Sequence, residues 1–221
     1  MSKSRFFCCL GHRISKSSEI LTSNQDGTPD TVELATGLSA RDRKLIKDTA
    51  DIIFGQLKLQ NKGVVFLIAF FKAYPHHQRY FKMFRGIPPD ELKSIPHTEN
   101  HGRRVMSNVA LLVQHIEEPN VIKEQLVDLL IKHNPRSVKP RQMKDMLNMF
   151  VDFTSQQLGA KFTSQHETAW RKLTTHILSV LEEAAAATSQ QSNGSAVSRG
   201  NGNVSNRNDQ EECRNNETQN S

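Results

Sequence analysis

The sequence predicts an all-α domain over residues 38–184, with a polar extension on either side. In every convincing periodic segment the apolar residues recur at steps of three and four, which is the spacing of one face of an α-helix. No segment shows the strict alternation of apolar and polar residues that a half-buried strand requires. Hydrophobic residues make up 36% of the chain, which is enough for one core. We therefore expect one helical domain.

The first three helices are predicted from their caps and stops. Ser39, with Asp42 three residues later, fits the N-cap of a first helix. A nearly all-apolar second helix covers 63–74. Residues 75–96 hold four prolines and are expected to form an irregular corner. A third helix is predicted over 98–118.

Three further helices follow. The fourth is predicted over 121–133 and ends there because Pro135 disfavours helical backbone at the residue before it. Pro140 suits the first turn of a fifth helix over 140–158, and Gly159 separates it from a sixth over 163–184.

The two extensions differ from the domain in composition. Residues 1–37 form an N-terminal extension, in which the polar, turn-rich residues 17–37 resemble a linker. Residues 185–221 open with alanines and continue in Ser, Gln, Asn and Gly, so we expect a disordered, low-complexity tail.

Charge and motifs exclude several classes of function. The net charge of +6 is scattered rather than gathered on one face, so a nucleic-acid partner is not expected. We find no catalytic carboxylate pair, nucleophile elbow or phosphate loop, and expect no enzyme. The longest apolar run, 64–71, is too short to span a membrane. The N-terminal apolar patch is too short for a signal peptide, and the few cysteines fit a reducing, cytoplasmic location.

The N-terminus carries a candidate lipidation signal. Cys8 and Cys9 follow two phenylalanines, and the first 18 residues contain several basic side chains and no acidic one. Two acyl chains together with basic residues attach a protein stably to an anionic membrane surface. The sequence is compatible with attachment to the inner face of the plasma membrane and equally with an unmodified extension.

Two histidines lie on apolar helix faces. His133 ends the series Ile122, Leu126, Leu129, and His101 begins a second series that continues through Val105. A buried imidazole must satisfy its nitrogens by hydrogen bonds or bind a metal. His76 and His77 follow a proline in the corner, and no paired arrangement with the spacing of a metal site is found among His97, His115, His166 and His176, so no zinc site is expected.

The order of these features resembles the globin family over residues 38 to about 184. Each motif alone is weak, but the ordered combination is specific. The motifs, in chain order, are Leu38-Ser39, the segment 70–75 ending in Pro75, Phe81, Phe84, His101-Gly102, His133 and Ala169-Trp170.

The resemblance implies six to eight helices around a haem pocket, with His133 as the proximal iron ligand and His101 as the distal histidine. It further implies that the ring nitrogen of His133 that does not bind iron donates a hydrogen bond to a carbonyl one turn earlier, near Leu129, and that Gly102 lets a neighbouring helix approach closely. Phe81 would stack on the porphyrin and Arg104 could pair with a propionate. The remaining apolar lining residues would be Leu67, Phe84, Val105 and Leu129.

The function that the resemblance implies is reversible binding of oxygen or another diatomic gas, including oxygen transport. His101 could instead bind the iron itself as a sixth ligand. A six-coordinate, membrane-tethered globin would suit redox signalling, electron transfer or gas sensing, with a reductase as a partner. A dioxygenase or peroxidase activity is the third alternative, and the chain carries no reductase domain to support it.

Overall fold

The computed structural model describes residues 19–23, 27, 29–55 and 59–197. The chain divides into two units, Met1–Ala185 and Ala186–Ser221. The elements are the strands β1 (Glu19–Ser23) and β2 (Pro29–Glu33) and the helices α1 (Ala40–Gly55), α2 (Leu59–Ala73), α3 (Pro96–Gln114), α4 (Pro119–His133), α5 (Pro140–Leu158) and α6 (Ser164–Val197). Short 3₁₀ helices lie at Pro75–Tyr80, Lys82–Phe84, Pro89–Ser94, Asn134–Arg136 and Gly159–Lys161.

The predicted caps form at the ends of the helices. The amide of Asp42 donates to Ser39 Oγ and the amide of Ser39 donates to Asp42 Oδ2, both at 3.0 Å, which closes a capping box on α1. Helix α4 ends at His133 as predicted, and α5 has the predicted bounds with Pro140 in its first turn. Helix α3 begins two residues earlier than predicted and ends at Gln114, and α4 begins at Pro119.

One continuous apolar core lies between the helices. Trp170 of α6 is 1% exposed, and its indole Nε1–H donates to Thr49 Oγ1 of α1 at 2.8 Å. Its ring packs 5.6 Å from that of Phe150 of α5. The last helix is thereby joined to both the first and the fifth. Among the described residues, no helix has the length and hydropathy needed to cross a membrane.

The interpretation of residues 17–37 as a linker without strands is wrong. β1 and β2 pair antiparallel, with Glu19 opposite Glu33. The hairpin lacks the usual strand pattern because the side chains it buries are polar: Asp30 is 7% and Glu33 is 2% exposed, whereas Leu21 is 77% exposed. Pairing is therefore not announced by apolar alternation.

The predicted end of the last helix at residue 184 is also wrong. Helix α6 continues to Val197 rather than ending at residue 184. Its extension begins with the alanine run 184–187. Alanine has the highest intrinsic helix propensity, so this run favours continuation of the helix even where few large apolar side chains follow. The later part of the predicted tail and both N-terminal cysteines lie outside the described residues.

Candidate functional site

Helices α2 and α3 are in direct backbone contact next to His101. A Cβ added to Gly63 of α2 would lie 2.3 Å from the carbonyl carbon of Gly102 of α3, and one added to Gly102 would lie 2.5 Å from that of Gly63. Both positions therefore require glycine. This confirms the expected role of Gly102, and it fixes the backbone of α3 next to His101 against α2.

His101 packs against the ring of Phe81, and its pKa is lowered by burial and by nearby charged groups. Its imidazole is half-buried and lies 5.0 Å from the ring of Phe81, centroid to centroid, in an edge-to-face arrangement of 72°. Burial, together with the charges of Arg104, His133 and Arg136, lowers the pKa of His101 to about 4. The imidazole is neutral at neutral pH, and His133 is near enough to act on it electrostatically.

His133 is the last residue of α4 and is also half-buried. Its Nδ1 lies 2.8 Å from the carbonyl oxygen of Leu129, one turn earlier in the helix. Because a carbonyl can only accept, Nδ1 carries the proton and the lone pair of the neutral ring is on Nε2. The hydrogen bond expected from the resemblance is confirmed. It orients the ring and leaves Nε2 in the form that binds a metal.

Phenylalanines link the corner to α2. The rings of Phe81 and Phe84 stack at 5.3 Å and 16°, and Phe71 meets each of them edge to face, at 5.1 and 5.8 Å. Phe84 is 2% exposed and Phe81 is only partly buried. Phe84 therefore packs in the core, whereas Phe81 presents its ring to His101.

The remaining predicted lining residues fall into three environments. Val105 and Leu129 are partly buried and pack against the core. Leu67 is 2% exposed within the core. Arg104 is exposed and borders a surface pocket, although its charge acts on His101. The structure thus brings Phe81, His101 and His133 into one region, while the assignment of Leu67 depends on the family resemblance alone.

Sequence reasoning missed two partners that come from distant segments. The sequence predicts Gly63 as the start of the second helix, and only the fold reveals it as the partner of Gly102. His77 is 3% exposed, and its Nε2 lies 2.7 Å from Asp145 Oδ2 of α5. A separation of 68 residues leaves no local signal for this pair.

The donor set fits an iron porphyrin. One imidazole is held with its Nε2 lone pair available, a second neutral imidazole lies within its electrostatic reach, and a phenylalanine ring stands beside the second. Axial imidazole, a distal imidazole and an apolar lining are what a haem protein supplies to its cofactor. Fold and site together define a haem-binding helical protein.

Comparison with known proteins identifies the family. The Globin family model matches residues 64–181, which is more than half of the chain. A globin of Nerita albicilla is 27% identical over 155 residues, covering 68% of this chain and 95% of that protein. Cytoglobin-2 of Danio rerio is 28% identical over 134 residues, covering 60% and 74%. The chain belongs to the globin family, whose members bind haem.

A solved structure supports the fold independently. Ferric myoglobin of Aplysia limacina aligns with a TM-score of 0.59 at 21% identity, covering 66% of this chain and 97% of that one. The likeness confirms an all-α globin fold for the helical domain.

Proposed function

We propose that this chain is a haem globin whose iron is held by Nε2 of His133 and which reversibly binds oxygen or another diatomic gas on the side of His101. The observation that carries the proposal is the hydrogen bond between His133 Nδ1 and the Leu129 carbonyl. It fixes the tautomer, and a donated proton on the far nitrogen raises the basicity of the ligating one. Ferrous haem supplies the reversible gas binding.

His101 would contribute a polar group beside the apolar lining residues Phe81, Val105 and Leu129. Its neutral ring has one N–H and one lone pair, so it can donate a hydrogen bond to a small ligand. The edge-to-face contact with Phe81 and the Gly102–Gly63 contact restrict where that N–H can point. Val105 and Leu129 would exclude water, and Arg104 would pair with a propionate at the exposed edge.

A six-coordinate state is the second candidate, and the same electrostatic proximity of the two imidazoles supports it. Neutral His101 also offers a lone pair, and His133 of α4 lies near enough to contribute to lowering its pKa. If His101 bound the iron, an external gas would have to displace it. Such a protein would serve redox signalling, electron transfer or gas sensing rather than oxygen transport.

Absorption spectra of the ferrous and ferric protein test both assignments. His133→Ala should lose the wild-type axial ligation, and His97→Ala, which removes an exposed histidine from α3, should keep it. His101→Leu should leave the ligand-free ferrous spectrum unchanged if the iron is five-coordinate, and convert it to a five-coordinate form if His101 is a ligand. Retention of the wild-type spectrum by His133→Ala would refute the ligand assignment.

We further propose that the protein is attached to the inner face of the plasma membrane through acylated Cys8 and Cys9. The supporting observation is the pair of cysteines among basic residues in the sequence. Membrane fractionation of Cys8→Ser/Cys9→Ser beside wild type tests this. A shift to the soluble fraction is expected, and an equal distribution of the two proteins would contradict attachment.

A further inference from the structure

A second cluster of metal-binding side chains lies where the corner meets α5. His76, His77 and Asp145 each offer one ligand atom, and these atoms all lie within 4.8 Å of one another. Nε2 of His77 is 2.7 Å and Nε2 of His76 is 4.0 Å from the same carboxylate oxygen, Asp145 Oδ2. Both histidines thus aim the same nitrogen at one point.

The tight 3₁₀ helix Pro75–Tyr80 creates this arrangement. Pro75 begins the helix and cannot continue α2, so the chain turns and His76 and His77 project beside each other. Their ring centroids are 4.3 Å apart with an interplanar angle of 39°. The close approach of the two rings places both histidines beside Asp145 of α5.

The three ligands differ in burial in a way that suits an accessible site. His77 is 3% exposed and packs between rings, 5.1 Å from Phe70 and 6.0 Å from Tyr80, which holds it in place. The side chain of Asp145 is 32% exposed and that of His76 is 59% exposed. The His77–Asp145 pair is therefore preorganised, and an ion can reach it from the solvent side of His76.

We propose that His76, His77 and Asp145 bind Zn²⁺ or a similar first-row divalent cation, with water completing the coordination. Two imidazole nitrogens and one carboxylate oxygen are ligands that zinc accepts at about 2.0 to 2.2 Å. Ligand atoms of such a tetrahedral site lie about 3.3 Å apart, so the 2.7 Å pair must open slightly and the 4.0 Å pair must close. The exposed His76 side chain is free to make the larger movement.

The ion would replace a hydrogen bond with a coordinate bond. Nε2 of His77 must carry its lone pair to bind the metal, so the neutral ring takes its Nδ1–H tautomer. The corner that precedes Phe81 would then be tied to α5 through the ion. We therefore expect zinc to raise the melting temperature of the wild-type protein.

Zinc titration of the haem-loaded full chain against a chromophoric chelator tests the site. The cysteines, which number three, are alkylated beforehand so that thiolates do not compete. Wild type should bind one ion that His76→Gln and Asp145→Asn each weaken by at least about tenfold, as loss of even an outer-shell partner costs about 10- to 100-fold. In both variants, zinc should no longer raise the melting temperature.

His115→Gln is the matched control. Nδ1 of His115 lies 2.9 Å from Glu118 Oε1, so this pair places a histidine beside a carboxylate but supplies only two ligands. The His115→Gln variant should bind zinc as tightly as wild type does. Absence of saturable binding in wild type, or unchanged affinity in His76→Gln, would overturn the proposal. So would an equal loss in His115→Gln. Because His76 is exposed, its substitution should leave the fold intact.

Discussion

The α2–α3 crossing and the junction of the N-terminal hairpin with α1 are built by opposite means. At the crossing, Gly63 and Gly102 bring two backbones into direct contact. At the junction, buried side chains are polar: Glu33 is 2% and Arg43 is 9% exposed. The crossing requires residues that have no side chain, and the junction requires that its buried charged side chains are paired. The two regions should therefore fail under different substitutions.

The largest effect is expected at the crossing. In Gly102→Ala the new Cβ would lie 2.5 Å from backbone that cannot rotate away, so the helices must separate. We expect a loss of about 3 kcal/mol or more in the free energy of unfolding, the upper end for overpacking. Urea unfolding of the haem-loaded protein measures it. Gly55→Ala is the control, because nothing lies within 4 Å of its added Cβ; similar losses in the two variants would show that the contact is not tight.

A smaller effect is expected at the junction. Arg43 donates to the carbonyl of Leu38 at 3.1 Å and to Glu19 Oε1 at 3.2 Å. Removing this buried cation in Arg43→Met should cost about 2 kcal/mol, the value of hydrogen bonds from a charged group.

Glu33 sharpens that prediction. Its Oε2 accepts from Thr36 Oγ1 at 3.0 Å, whereas its buried Oε1 has no hydrogen-bond partner among the described residues. Adding Glu33→Gln to Arg43→Met should recover part of the loss, because both residues line one pocket with Glu19 and Glu117, and removing one carboxylate reduces the repulsion left when the cation is lost. Full additivity of the two substitutions in urea unfolding would contradict charge pairing as the basis of the junction.

The smallest effect is the pH dependence contributed by His101. Its pKa is about 4 in the folded chain against 6.5 in the unfolded one, owing to burial and to Arg104, His133 and Arg136. Above pH 6.5 both states are neutral; as pH falls toward 4 the unfolded chain binds the proton first, so stability is lost. For a half-buried group we expect about 1 kcal/mol between pH 7 and 5.

His176 allows a comparison with the hairpin side. Burial lowers the pKa of His176 too, but Glu33 and Glu183 act in the opposite direction. Urea unfolding of the haem-free chain at pH 7 and 5 should show that His101→Leu removes more of the acid-side loss than His176→Leu. The reverse order would contradict the larger lowering of the His101 pKa by burial.

The sequence predicts elements that are marked by local patterns, but it does not predict the hairpin with its buried polar side chains. The positions of α5 and of His133 were predictable because prolines and apolar spacing act locally. The hairpin was not, because its buried residues are Asp30 and Glu33 and its exposed ones include Leu21. The continuation of α6 past residue 184 begins with the alanines 184–187, whose high helix propensity periodicity does not detect.

The candidate site shows a similar limit. The hydrogen bond of His133 to the Leu129 carbonyl is implied by the family resemblance, and the structure shows it one turn back in α4. The partnership of His77 with Asp145 joins residues 68 positions apart, and nothing in either segment marks it. Long-range pairs of this kind become visible only when the corner has been placed against α5.

Imidazole rescue of His133→Gly tests the central claim most directly. The substitution removes the proposed ligand and leaves space for a free imidazole, while the Leu129 carbonyl can still accept its N–H. Absorption spectra of the haem-loaded variant should lack the wild-type axial ligation and regain it when imidazole is added. A variant that retains wild-type ligation without imidazole would contradict the assignment of His133 as the proximal ligand.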